Sequence, residues 1–240
     1  MNRCVARLLL PWLAIVASPL VAQAPAPATT LEALTGEIEA ATAERRWAEA
    51  ILLGQRALAI EEAAKGANDP EIAGTLMLIA GWMRELDRHA EAEPLLRRAL
   101  LIFEQGYGDG HEFTISAANN LAATLEALGR LNDANKIYAL TLDNMVKRYG
   151  PSHRLTAMST SNLAFNLARQ GRYQEAQPLY DKALKIGRAT MDEDDSELAR
   201  IENNVASNLT ARGRYLQAEP LYNHALRTRL AALGSDDPDV

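Results

Sequence analysis

"GRYQEAQPLYDKALKI", Gly171–Ile186, is followed 42 residues later by "GRYLQAEPLYNHALRT", Gly213–Thr228, with nine of the sixteen positions identical. Displacing the chain against itself by that interval keeps it in register over most of its length. Arg46, Arg88, Arg130, Arg172 and Arg214 form one column. Ala50, Ala92, Ala134, Ala176 and Ala218 form another, and Leu58, Leu100, Leu142, Leu184 and Leu226 a third. A further alanine column, Ala80, Ala122, Ala164 and Ala206, lies upstream, and Leu96, Tyr138, Tyr180 and Tyr222 share a bulky slot. Gly129, Gly171 and Gly213 stand just before the arginine column, with Asp87 in their place in the second copy.

Each unit reads as two helices. In the fourth, an apolar pattern from about Leu155 to Ala168 stops at Gly171, a residue that can take the left-handed conformation ending a helix. Tyr173, Ala176, Leu179, Tyr180, Ala183, Leu184 and Ile186 then recur at steps of three and four, one apolar stripe on a second helix. Pro94, Pro178 and Pro220 fall near the start of that second helix, where an absent N–H is expected to cost little. Polar loops such as "KGANDPEI" and "RYGPSHRL" join the units, and their Asp, Ser and Pro suit the next helix start. The alanine columns have a mechanical reason: Ala122 and Ala134 would face each other in a tight antiparallel pair. The fold class is therefore all-α, about five helix-turn-helix units at about 34–66, 67–108, 109–150, 151–192 and 193–234, with 235–240 ("SDDPDV") opening a further unit.

The first residues differ in kind. Arg3 and Arg7 precede an apolar stretch broken by Pro11 and Pro19, then Ala22-Gln23-Ala24, small-x-small. This is the text of a secretory signal peptide over residues 1–24, cut after Ala24, with 25–33 as a linker. The apolar run is shorter than the roughly 20 residues a membrane span needs, so no stable span is expected after cleavage. The chain is thus expected to be periplasmic or secreted. Its net charge of -6, less Arg3 and Arg7, becomes -8 after cleavage, and Cys4, its only cysteine, is removed. No basic stripe is present to neutralise phosphates, which argues against nucleic acid as partner.

At these columns the chain resembles tetratricopeptide repeats, and more closely the 42-residue variety of kinesin light chains. The match is carried by "NNLAATLEALGRLNDANKIYALTL" (Asn119–Leu142), "SNLAFNLARQGRYQEAQPLYDKAL" (Ser161–Leu184) and "NNVASNLTARGRYLQAEPLYNHAL" (Asn203–Leu226), with a looser copy at Leu78–Leu100. The resemblance implies a superhelix whose first helices line a concave groove, and a protein or peptide as partner. It places Arg84, Ser116, Asn119, Asn120, Ala123, Glu126, Met158, Ser161, Asn162, Phe165, Arg169, Arg200, Asn203, Asn204, Ser207 and Thr210 on that groove. Asn amides there can pair with peptide backbone whatever its side chains, and Phe165 would offer an apolar anchor. The same Asn side chains could instead bridge neighbouring first helices. The expected function is an exported scaffold binding extended peptide segments; the alternative is the sensor or docking region of a larger secreted enzyme.

Other features carry less. "GYGDGH", Gly106–His111, is not a phosphate loop: no strand precedes it and no Lys-Ser/Thr follows. His111 and His153 share a column with Asp69, Asp195 and Asp237, a helix-capping position and not a metal set. "MDEDDSE", Met191–Glu197, lacks the glycine and terminal Glu of a calcium loop. Asn208-Leu209-Thr210 is a glycosylation sequon lying inside an expected helix. No nucleophile–base grouping stands out, so no enzyme, cofactor or metal is read. The last second helix, from Tyr215 to about Leu233, keeps the interior pattern instead of a polar cap, so the chain is expected to be part of a longer protein, or else a partner or a second copy covers that face.

Overall fold

The computed structural model describes residues 30–233. The readings of residues 1–24 and 235–240, and most of the linker, lie outside them. Ten helices follow one another: α1 (Leu31–Ala43), α2 (Trp47–Lys65), α3 (Pro70–Glu85), α4 (His89–Tyr107), α5 (Glu112–Ala127), α6 (Leu131–Tyr149), α7 (Arg154–Arg169), α8 (Tyr173–Thr190), α9 (Ser196–Ala211) and α10 (Tyr215–Leu233). α1 opens at Leu31, inside the stretch read as linker. Each helix packs chiefly on its neighbours in sequence, giving five antiparallel pairs stacked as a solenoid. The odd-numbered helices are the first of each pair.

The alanine columns sit where the helices pack closest. Ala50, Ala92, Ala134, Ala176 and Ala218 are buried on the second helices, and Ala80, Ala122, Ala164 and Ala206 on the first. Volume is traded across each junction. The slot held by Leu96, Tyr138 and Tyr180 is Gly54 in the first pair. A Cβ there would lie 2.7 Å from Cζ3 of Trp82 and 2.9 Å from Cγ1 of Ile79. Trp82 occupies the column of Thr124, Asn166 and Asn208, so a small residue on one helix meets a large one on the next.

Three core clusters are present among the described residues, and two of them meet at a polar seam. One runs from Leu34 to Tyr138 and the other from Ala157 to Ala218. Where they adjoin, α7 buries Thr156, Ser159, Thr160, Ser161 and Asn166.

The turn inside each pair needs one residue of positive φ. Gly129, Gly171 and Gly213 supply it at 73–75°. Arg45 and Asp87 hold the same column at 54° and 56°, where a side chain is disfavoured. Asp87→Gly and Arg45→Gly are therefore expected to stabilise the array by about 0.5–1 kcal/mol each, read as a raised denaturant midpoint with an unchanged slope. The arginine column follows directly. Arg88 and Arg172 each grip a glutamate three residues on, at 2.7 Å and 2.7–2.8 Å, and Arg130 grips Asp133 at 2.9–3.1 Å. The carboxylates gain from the helix N-terminus as well. These exposed pairs contribute little to stability and chiefly orient the turn.

The prolines correct the sequence reading. Pro94, Pro178 and Pro220 are each the sixth residue of their helix. The N–H groups left free by a helix start end before that point, so each proline forfeits one intrahelical bond.

Candidate functional site

First helices approach one another closely enough to exchange side-chain hydrogen bonds from α3 to α9, which makes them the layer to examine. Their starts are fixed by one column. Asp69 and Asp195 accept from the N–H of Glu71 and Glu197 at 2.9 and 2.8 Å. His111 and His153 do the same through Nδ1, from Phe113 at 3.3 Å and Leu155 at 3.2 Å. The capping role read from sequence is thus the role observed. Each imidazole also stacks on a tyrosine of the preceding helix, His111 on Tyr107 and His153 on Tyr149, with ring centroids 4.5 and 4.9 Å apart.

Four of the expected groove residues form two mirrored pairs. Arg84 of α3 donates from Nη1 to Oδ1 of Asn120 on α5 at 3.0 Å. Arg200 of α9 donates from Nη1 to Oδ1 of Asn162 on α7 at 3.1 Å. Arg200 is also held by Glu197 at 2.7–2.8 Å, whereas no described carboxylate lies within ion-pair distance of Arg84. Burial first, then the Glu126 carboxyl, pushes the Tyr138 hydroxyl up, while Arg84 and Arg200 both pull it down.

Asn119, Asn203 and Asn204 are half-buried. The side chains of Asn203 and Asn204 make no hydrogen bond to another described residue, and Oδ1 of Asn119 is buried without a partner. Phe165 is half-buried and packs against the core, so it presents only part of its ring. Two expected groove positions belong to the interior instead: Ser161 is 0% exposed and Glu126 5%. The bridging that occurs between first helices at this level is Arg–Asn, not an Asn ladder.

A deeper network lies toward the far ends of α5 and α7. Nδ2 of Asn166 donates to Oε1 of Glu126 at 2.7 Å and to the Leu131 carbonyl at 3.2 Å. Its Oδ1 accepts from Asn135 at 3.0 Å and Gln170 at 2.8 Å. Burial raises the pKa of Glu126, while Asn166, Arg169 and Tyr138 act against that rise. Asn208, one repeat on, donates to the Tyr173 carbonyl at 3.3 Å and to Gln177 at 2.8 Å. It is 2% exposed inside α9, so the sequon points into the fold.

One feature escaped the sequence reading. An open apolar notch of about 570 Å³ is lined by Met77 and Leu78 of α3, Phe103 and Tyr107 of α4, and Phe113 and Asn120 of α5. Phe103 lies 5.6 Å from Phe113 and 5.9 Å from Tyr107, centroid to centroid. Leu78 is 57% exposed, Phe113 47% and Tyr107 43%. Met77 and Leu78 occupy the columns of Asn119 and Asn120, so the second unit breaks the Asn pattern with two apolar residues. That break was the available signal. Asn120 lines the notch and also receives Arg84, which makes the notch and the arginine neighbours.

A family model for the tetratricopeptide repeat matches residues 71–145, 114–189 and 155–231, most of the chain. The chain belongs to the tetratricopeptide repeat family. A search of curated proteins returned no match. Among solved structures, tetratricopeptide-like repeats of a putative kinesin light chain from Podospora anserina align with a TM-score of 0.69 at 18% identity, over 85% of this chain and 97% of that one. BtubC (BKLC) from P. vanneervenii aligns at 0.67 and 23% identity, over 87% and 82%. The Rap conjugation gene regulator of plasmid pLS20, in complex with the Phr* peptide, aligns at 0.66 and 14%, over 84% of this chain and 54% of the regulator. At these identities the likeness shows the fold alone. Among the described residues no helix is long and apolar enough to cross a membrane.

Proposed function

We propose that this tetratricopeptide repeat array is an exported, non-catalytic interaction module that binds an extended peptide segment along its first-helix face. The observation that carries the reading is the concentration on that face of groups the fold itself leaves unsatisfied. Asn203 and Asn204 have no internal partner, and Arg84 faces no carboxylate. Three large apolar side chains stay exposed in the adjoining notch. Half-buried amides serve a peptide backbone as both donor and acceptor. The notch takes a large apolar side chain of the same peptide. A neighbour of similar fold, the Rap regulator, is a peptide complex. The secretory pattern of residues 1–24 supports export, and the intact mass of the protein from its own cell tests it.

The groove assignment is tested with a peptide selected on the intact chain from a random linear library. Asn162→Ala combined with Asn204→Ala is expected to weaken that peptide about tenfold or more, two lost hydrogen bonds at about 1 kcal/mol each. The melting temperature should fall by only about 2–4 °C, because Asn204 has no internal side-chain partner and Asn162 accepts a single part-buried hydrogen bond, from Arg200. Undiminished affinity in the double variant would remove these residues from the site.

A further inference from the structure

We propose that the two Tyr–Gly–x–x–His turns, Tyr107–His111 and Tyr149–His153, are acid-labile helix caps that loosen the starts of α5 and α7 as pH falls. The four caps of one column are chemically of two kinds. Asp69 and Asp195 offer a carboxylate oxygen to the helix, at 2.8–2.9 Å from the N–H they cap. His111 and His153 offer a ring nitrogen, and it accepts only while it carries no proton. The geometry therefore requires the tautomer with hydrogen on Nε2. A proton added at Nδ1 turns the acceptor into a donor aimed at the N–H of Phe113 or Leu155. It also sets a cation against the positive end of a helix. The stack on Tyr107 or Tyr149 survives protonation and returns part of the loss, but it restores no acceptor to the N–H.

The tyrosine and the histidine occur together. In the units capped by aspartate, the tyrosine column holds Lys65 and Met191. The paired residues thus form one device used twice in consecutive repeats, on the two helices that carry Phe113, Asn119, Asn120 and Asn162. Imidazole is the side chain whose charge ordinarily changes between about pH 5 and 8. The charged groups around them do not replace the lost acceptor. Beside His111 in the chain are Asp109 and Glu112; Asp109 acts electrostatically on Glu104 of α4, and Arg148 of α6 reaches the adjoining Gly110. Around His153 the charged groups are Arg148, which bonds Tyr149, and Arg154, which is paired with Asp195 of α9 at 3.1 Å. The other two histidines face carboxylates instead of a helix N–H: His89 lies 3.6 Å from Asp87, and His224 contacts Glu202.

The test needs no ligand, so its failure and the failure of the peptide-binding reading are separate events. Melting temperatures of the full chain are compared at about pH 7.5 and 5.5 with those of the His111→Asp/His153→Asp double variant. Because both proteins share every other titrating group, the difference between them isolates the caps. The wild type is expected to lose about 4–8 °C more than the variant on acidification, the loss of two caps in an array of this size. Equal shifts in the two proteins would overturn the proposal. A second readout stays valid if the variant folds poorly. In the wild type the amide protons of Phe113 and Leu155 should move with the titration of the imidazoles, while those of Glu71 and Glu197 stay still over the same range. Unmoved Phe113 and Leu155 amides would also overturn it.

Discussion

Asn166→Ala is expected to destabilise the array by about 2–4 kcal/mol at neutral pH, the cost of orphaning several buried polar groups at once. Asn166 is 0% exposed and serves four partners on three elements: Glu126, the Leu131 carbonyl, Asn135 and Gln170. It sits in the seam between the two core clusters, where apolar packing offers little substitute. The loss should depend on pH in a definite sense. Burial raises the folded-state pKa of Glu126. A carboxyl so raised contributes stability below its unfolded pKa of about 4.3, and that contribution is lost as pH rises through the folded value. Without the Asn166 donor the ionised form loses its main hydrogen bond, so the variant's deficit should grow from about pH 5 to pH 7. Chemical denaturation at both pH values measures it; a deficit independent of pH would mean that Glu126 takes no part in the cost.

Ala176→Leu is expected to cost about 1–3 kcal/mol by overpacking. Ala176 is 0% exposed on α8 and shares a core cluster with Ala164 and Ala206 of the neighbouring first helices, both 0% exposed. Leucine adds volume where no void stands ready, so α7 and α8 must separate or the new side chain must leave its preferred rotamer. The reverse case sits at Gly54. There alanine would favour the helix intrinsically, yet its Cβ falls inside contact distance of Trp82 and Ile79. A melting temperature unchanged by Ala176→Leu would undermine the close-packed pairing of the two helices.

What the sequence disclosed follows from the physics of repetition. A column such as Ala92–Ala134–Ala176 repeats because every junction imposes the same steric limit, and one sequence suffices to see it. The cap column Asp69–His111–His153–Asp195 was legible for the same reason, since each helix start has the same unpaired N–H. The notch was not legible, because it forms from α3, α4 and α5 together and from residues that break their columns, Met77 and Leu78 in place of asparagines. Nor was Asn166. Within α7 it reads as one more polar helical residue, and only packing against α5 and α6 shows it to be buried. Among the groove candidates the sequence could place Arg84, Asn120, Asn162 and Arg200 on one face. It could not show that each arginine would take the neighbouring asparagine's carbonyl and leave the amide hydrogens outward.

In the proposed mode of binding the first-helix face, not the outer one, receives the partner. Backbone amide shifts of the full chain on titration with the library-selected peptide test it most directly. Shifts are expected to concentrate in α3, α5, α7 and α9, strongest near Leu78, Phe113, Asn162 and Asn204. Shifts confined to α4, α6, α8 and α10 would contradict it.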